Sequence, residues 1–249
     1  MLPLNKIYRY IRSNTTPSNS TNDLIFAEFP KSGVTWISLL VANSLASLED
    51  CSIEFQYSSY NFAISDLSMG GSKARFYANS GLYLYKSHSL FNPYYRNVIY
   101  LVRNPIDTMT SYYKYLTELG VYHGSFGEFI KDKKYGLPSW KRHVLSWLNN
   151  QHMIQRLYLF KYEDFVSSPE FELQRLFKLI GVNIPVSAIE KSVVVNSVDT
   201  MRANEALYRS VDPRHPHEFI KGKKTQPKKE DIDFILTNSK EERKLIGYE

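Results

Sequence analysis

The stretch from Leu24 to Leu48, LIFAEFPKSGVTWISLLVANSLASL, constrains this chain more than any other. LIFAEF is a short apolar run with aromatics, which predicts a buried strand over residues 24–29. Pro30 and Gly33 break it and leave Lys31 and Ser32 in the turn. TWISLLVANSLASL then sets Trp36, Leu39, Leu40, Ala42, Leu45 and Leu48 at mostly helical spacing. Strand, short glycine loop and helix together make an anion site. The first helical N–H groups have no partner inside the helix, and the helix dipole favours negative charge there. A lysine and a serine in the same turn point to phosphate or a group like it. The triphosphate loop G-x-x-x-x-G-K-[ST] is not met, because Lys31 precedes the only glycine and the turn is too short to wrap a triphosphate. On these residues alone an ordinary strand-to-helix turn with a surface lysine is an equal reading.

Three further strands are expected, at 82–86, 97–102 and 157–162. LYLY runs straight into Lys86, Ser87 and His88. A histidine at the C-terminal end of a strand sits where ligands bind in open parallel sheets, although a lone histidine is more often structural. NVIYLV is followed by Arg103, then by Asn104 and Pro105, with Asp107 able to cap the helix that carries Ser111. RLYLFKYEDF predicts a strand ending in Tyr162, Glu163 and Asp164. Residues 126–156 read as helical, with Trp140, Val144, Trp147 and Leu148 as a core stripe. SPEFELQRLFKL predicts an amphipathic helix stopped by Gly181, and residues 186–206 read as helical in part. Between the first two strands, residues 51–81 are rich in Tyr, Phe, Ser and Gly, with a loop at Gly70–Gly71. Aromatic loops beside an anion site suit a pocket for a second ligand, or pack on the core. The fold expected is three-layer α/β, a central mostly parallel sheet with helices on both faces.

With 249 residues and no dividing linker or repeat, one domain over 1–249 is expected, with 1–23 a polar lead-in. The net charge of +6 suits an anionic ligand, yet no basic run with interleaved aromatics suggests reading of nucleic acid. A single cysteine, Cys51, excludes an internal disulfide framework. No apolar run reaches the roughly 20 residues that span a bilayer, and Met1 to Asp23 lacks a signal-peptide core. A soluble, cytoplasmic protein without membrane or nucleic-acid partners is the expectation. No H-E-x-x-H or C-x-x-C suggests a metal, and His215-Pro216-His217 in the basic tail 212–229 is a weak candidate.

The order P-K-S-G-x-T-W over residues 30–36 resembles the 5′-phosphosulfate loop of the sulfotransferases that use 3′-phosphoadenosine 5′-phosphosulfate (PAPS), with Val34 where threonine is usual. K-S-H at 86–88 is similar to that family's K-T-H catalytic turn. R-N-P-x-D-x-x-x-S-Y-Y from Arg103 follows its 3′-phosphate motif. WKRHVLSWLNN is similar to a further family stretch. The resemblance covers roughly residues 24–224 and implies a P-loop-like fold. It implies sulfuryl transfer from PAPS to a hydroxyl or amine of a small-molecule acceptor, without a metal. It assigns His88 as general base, Lys31 as stabiliser of the leaving phosphate and Lys86 as holder of the sulfuryl oxygens. For the nucleotide it implies Lys31, Ser32, Gly33, Val34, Thr35, Trp36, Arg103, Ser111, Tyr162, Ser197, Lys221 and Gly222. Two positions depart from the pattern: Val198 stands where an adenine-stacking aromatic is usual, and Ile220-Lys221-Gly222 replaces R-K-G. The other readings are a nucleotide-dependent kinase on the same fold and a non-catalytic nucleotide-binding relative.

Overall fold

In the computed structural model, which describes residues 22–49, 53–69, 76–211 and 226–249, the sheet is built on two strands with no exposed residue. These are β1 (Asp23–Glu28) and β5 (Asn97–Val102). Burial on both faces is what a central strand of a parallel sheet requires, and it explains their unbroken apolar runs. Along β1, Leu24 and Phe26 face one core while Ile25 and Ala27 face the other. Each large apolar side chain so buried stabilises the fold by about 1.5–3 kcal/mol. The first core is closed by α1 (Val34–Ala46) and by helices from the second half of the chain. The second core is closed by α3 (Pro105–Glu118) and α5 (Leu137–Leu148), carrying Met109, Trp140, Val144 and Trp147. Three layers follow.

The remaining elements fit around these. A short α2 (Tyr60–Ala63) leads into β2 (Ser65–Asp66), and β3 (Phe76–Tyr77) precedes β4 (Leu82–Ser87). A single helical turn, α4 (Phe126–Phe129), precedes α5, and β6 (Arg156–Lys161) follows it. Then come α6 (Tyr162–Ser167), α7 (Pro169–Ile180), α8 (Val186–Val195), α9 (Val198–Val211), α10 (Lys229–Asn238) and α11 (Lys240–Leu245). The sheet order is β2-β4-β1-β5-β6, all parallel, with β3 antiparallel on β4. The chain therefore lays β4 on one side of β1 and β5 on the other. That reversal opens a crevice at the carboxyl ends of these strands, the usual ligand position in such sheets.

The structure differs from the sequence reading in three places. The helix expected over 126–156 is broken: residues 130–136 turn back, with the Leu137 N–H donating to the Ile130 carbonyl. Asp132 Oδ1 accepts the N–H groups of Lys134 and Tyr135 there, and a Cβ on Gly136 would stand 2.1 Å from the Phe129 carbonyl oxygen. Only glycine admits that approach. The cap of α3 is Asn104, not Asp107; its side chain accepts the Ile106 N–H at 2.9 Å. With Pro105 fixing the first helical position, the residue before it is the cap and Asp107 falls inside the first turn. Tyr162, Glu163 and Asp164 start α6 rather than end a strand. Lys221, Gly222, His215 and His217 of the basic tail, and the Gly70–Gly71 pair, lie outside the described residues.

Candidate active site

Four segments leave the sheet at the same edge: the turn 29–33 after β1, His88 after β4, Arg103 after β5 and Tyr162 after β6. Strand register brings them level, since Ala27 pairs with Ser87, Glu28 with Leu101 and Val102 with Lys161. The turn is tight. Lys31 has φ 76° and Gly33 φ 108°, a left-handed pair that costs about 1 kcal/mol or more at the lysine. The Tyr162 ring closes directly over it: a Cβ on Gly33 would lie 2.3 Å from Tyr162 Cδ2. Trp36 meets the same ring edge-on, with centroids 5.9 Å apart. The Arg103 guanidinium sits over the same ring, 4.5 Å from its centroid. Gly33, Trp36, Arg103 and Tyr162 are thus one cluster.

Arg103 also donates from a terminal nitrogen to the Lys31 carbonyl at 3.2 Å, while its Nε is buried without a partner. A guanidinium has five donors, so capacity for an anion remains. Trp36 Nε1 donates to the Asn196 carbonyl at 2.9 Å. The next residue, Ser197, precedes α9, with Oγ 2.8 Å from the Thr200 hydroxyl, so Trp36 reaches the residue beside Ser197. Ser111 lies one helical turn from Tyr115 on the same face of α3, and the Lys31 ammonium is 4.8 Å from the Tyr115 ring centroid.

Two predicted contacts are engaged within the turn. The Ser32 hydroxyl is buried and donates to the Phe29 carbonyl at 2.9 Å. Val34 turns its side chain into the core, and its N–H goes to Glu28 Oε2 at 2.8 Å. The helical N–H groups of Thr35 and Trp36 follow in the first turn.

On the other side of β1, Lys86 Nζ pairs with Asp66 Oδ2 at 3.0 Å and stands 4.8 Å from the Tyr60 ring centroid. His88 is held by its backbone N–H, which donates to Ser68 Oγ at 3.1 Å. Its ring Nδ1 is buried without a hydrogen-bond partner, 3.7 Å from Glu28 Oε1. Burial, followed by the Lys86 charge, lowers the His88 pKa to about 4, with Asp66 and the Glu28 carbonyl acting the other way. Burial pushes Glu28 up to about 7 against the pull of the Val34 N–H, Lys86, Lys31 and Arg103. Burial also brings Lys31 down to about 8. These three shifted groups converge in one crevice, which is the electrostatic pattern of a working site.

Over this geometry, a model of the sulfotransferase domain matches residues 21–236. The chain belongs to the sulfotransferase family. Sulfotransferase 1C2 of Rattus norvegicus is 29% identical over 211 residues, covering 78% of this chain and 70% of that protein. The fold of this sulfotransferase also matches retinol dehydratase in complex with androsterone and the inactive cofactor PAP, at TM-score 0.69 and 15% identity, over 95% of this chain and 85% of that one. A mouse sulfotransferase complexed with PAP matches at TM-score 0.63 and 18% identity, over 96% and 92%. Family membership closes the kinase alternative.

Sequence reasoning missed Glu28 and Asp66. The signal for Glu28 was present: an acid inside the apolar run LIFAEF is rare unless it is paired. Asp66 lies in a segment without periodicity and had none. A separate surface cavity between α5 and α10, lined by Leu137, Lys141, Leu145 and Phe234, shares no residue with this site. Among the described residues no helix is long and apolar enough to cross a membrane.

Proposed function

We propose that this sulfotransferase moves the sulfuryl group of PAPS to a hydroxyl or amine of a small-molecule acceptor. The observation carrying the residue assignments is the meeting of Lys31, Lys86, His88 and Arg103 around Glu28 at the strand ends. Supporting the donor is the fit of the residues: Arg103 keeps an unpartnered buried donor, and the turn adds an ammonium and first-turn N–H groups. The related structures that carry PAP, one of them with androsterone, agree with a nucleotide donor and a small acceptor. When bound, PAPS supplies an already activated sulfuryl group.

The protein's own part is positioning and charge stabilisation. His88, neutral at pH 7, takes the acceptor's proton at Nε2, its Nδ1 being buried beside Glu28. Lys31 faces the charge that grows on the leaving phosphate, and Lys86 the sulfuryl oxygens. Arg103 and Ser111 hold the 3′-phosphate, and Trp36, Tyr162 and Ser197 the nucleoside. The family resemblance also assigns Lys221 and Gly222, which lie outside the described residues, to the nucleotide.

Donor choice tests the 3′-phosphate site. Hydrogen bonds to a charged group contribute roughly 1.5–3 kcal/mol each. Arg103→Ala is therefore expected to weaken 3′,5′-ADP by about tenfold to a hundredfold or more. AMP, which lacks the 3′-phosphate, should change little, and Ser111→Ala should do less than Arg103→Ala. Calorimetry with both nucleotides reads the ratio. Equal losses for the two would reduce Arg103 to a support of the Lys31 carbonyl and the Tyr162 ring.

The cations of the mechanism are side chains, so transfer of radiolabelled sulfate should persist in EDTA. A strict need for added Mg²⁺ would overturn the assignment of Lys31, Lys86 and Arg103.

A further inference from the structure

Glu28 occupies the point where the two halves of the site touch. It is the last residue of β1, 2% exposed and paired with Leu101 on β5, while Ala27 before it pairs with Ser87 on β4. One carboxylate oxygen holds the first N–H of α1 at 2.8 Å. The other faces His88 Nδ1, a buried ring nitrogen with no hydrogen-bond partner, across 3.7 Å. The nitrogen and the carboxylate oxygen need to approach by less than an ångström to reach an ordinary N–H···O separation of about 2.9 Å. Nothing in the sequence pattern that carries the family resemblance calls for an acid at this position.

We propose that Glu28 is a positioning residue for His88: its carboxylate takes the Nδ1 proton as a hydrogen bond, which leaves the Nε2 lone pair free for the acceptor's proton. Which ring nitrogen carries the proton is set by the bond the other nitrogen makes. An ionised carboxylate only accepts, so it selects Nδ1–H. After proton abstraction the imidazolium carries protons on both nitrogens, and the same carboxylate stabilises it without itself being protonated. A protonated Glu28 donates instead, and then Nδ1 accepts while Nε2 holds the hydrogen, a form that cannot act as base. The groups facing the pair fix its balance. Lys31 and the Val34 N–H come from the turn and α1, Lys86 from β4, and Arg103 from the end of β5. Tyr60 and Tyr100 bring phenols whose pKa values burial raises, Asp66 acts on His88 from β2, the Glu28 backbone carbonyl acts on it from β1, and His143 faces it from α5. Burial and these cations leave Glu28 titrating near 7, so the switch between the two forms falls close to neutral pH.

The inference rests on His88 being the base, but its test reads the tautomer without turnover. The full chain is labelled with 15N-histidine, and His88→Ala assigns the signal among the six histidines. At pH 8 the expected state is Nδ1 protonated and Nε2 bare, with both signals shifting as pH falls through about 7. In Glu28→Gln the amide carbonyl keeps the Val34 N–H, the amide N–H₂ faces the ring, and the proton moves to Nε2. The step near 7 is then lost. Should glutamine disturb the fold, Glu28→Asp, which keeps the charge, is expected to keep Nδ1–H. Nε2–H in the wild-type protein at pH 8, or the same tautomer and titration in wild type and Glu28→Gln, would reduce Glu28 to a helix cap and overturn the proposal. Either result leaves the effect of His88→Ala on turnover to be judged separately.

Discussion

His88→Ala is expected to lower turnover by about 10²–10⁴-fold, the usual cost of losing a general base, with nucleotide affinity little changed. Two features of the structure support the size of the effect. His88 is neutral at pH 7, because burial and the Lys86 ammonium hold its pKa near 4, so almost no ring is lost to the charged form. Its backbone is also held by the bond to Ser68, and its ring nitrogen faces Glu28 across 3.7 Å. The sign for stability runs the same way. A histidine whose folded pKa lies below its unfolded value contributes stability above the unfolded pKa of about 6.5, and that contribution is lost as pH falls towards 4. His143 is held near pKa 3 by burial and loses stability over the same acid range. Alanine at 88 removes one of these two liabilities, so a dead variant that binds 3′,5′-ADP and resists acid better than wild type is the expected result. The measurement is radiolabelled-sulfate transfer to whichever member of a phenol, alcohol and amine panel the wild-type enzyme sulfates, with calorimetry for the nucleotide. Wild-type turnover in His88→Ala would end the assignment of the base.

The sheet was legible in the chain because burial on both faces leaves an unbroken apolar run. LIFAE and NVIYLV could hardly be anything but central strands, and the residues just after them had to lie at one edge. Lys31 and Arg103 were readable for that reason, and His88 from its place after the strand LYLY and from the K-S-H turn. Local geometry was less so. A long apolar stripe from Trp140 to Leu148 hides the fact that Gly136 lets the chain turn back before it, since the approach to the Phe129 carbonyl is a tertiary event. The role of Asn104 follows from Pro105 beside it and was open to reading, yet Asp107 offers the same chemistry three residues on. Roles inside the anion turn were hidden for another reason. Sequence cannot say that the Ser32 hydroxyl and the Val34 N–H have partners within the protein, Phe29 and Glu28. Glu28 was visible as a misplaced charge, but its meaning needs the fold that sets its carboxylate 3.7 Å from His88 Nδ1.

Replacing Lys31 should move activity and stability in opposite directions. If its ammonium faces the charge that grows on the leaving phosphate, Lys31→Met is expected to lower turnover by about 10²–10³-fold, as loss of one preorganised donor does. Burial, and secondarily Arg103, hold its pKa near 8 rather than 10.5, while Glu28, Glu205 and Glu118 pull upward. A lysine with a depressed folded pKa costs stability wherever it stays charged, from low pH up to about 8, and the cost disappears as pH rises towards 10.5. Two to three pKa units correspond to roughly 3 kcal/mol, so Lys31→Met should raise the melting temperature at pH 7 and leave it unchanged near pH 11. The same shift sets an alkaline limb. In kcat/KM, which reports the free enzyme, activity should fall as pH rises through about 8. In kcat the limb should lie higher, because the bound anion favours the ammonium. Lys31→Arg separates charge from shape: a guanidinium does not titrate in this range, so the limb near 8 should vanish while part of the turnover at pH 7 survives. An unchanged limb in Lys31→Arg would assign it to another group, and full turnover in Lys31→Met would remove Lys31 from the transition state altogether.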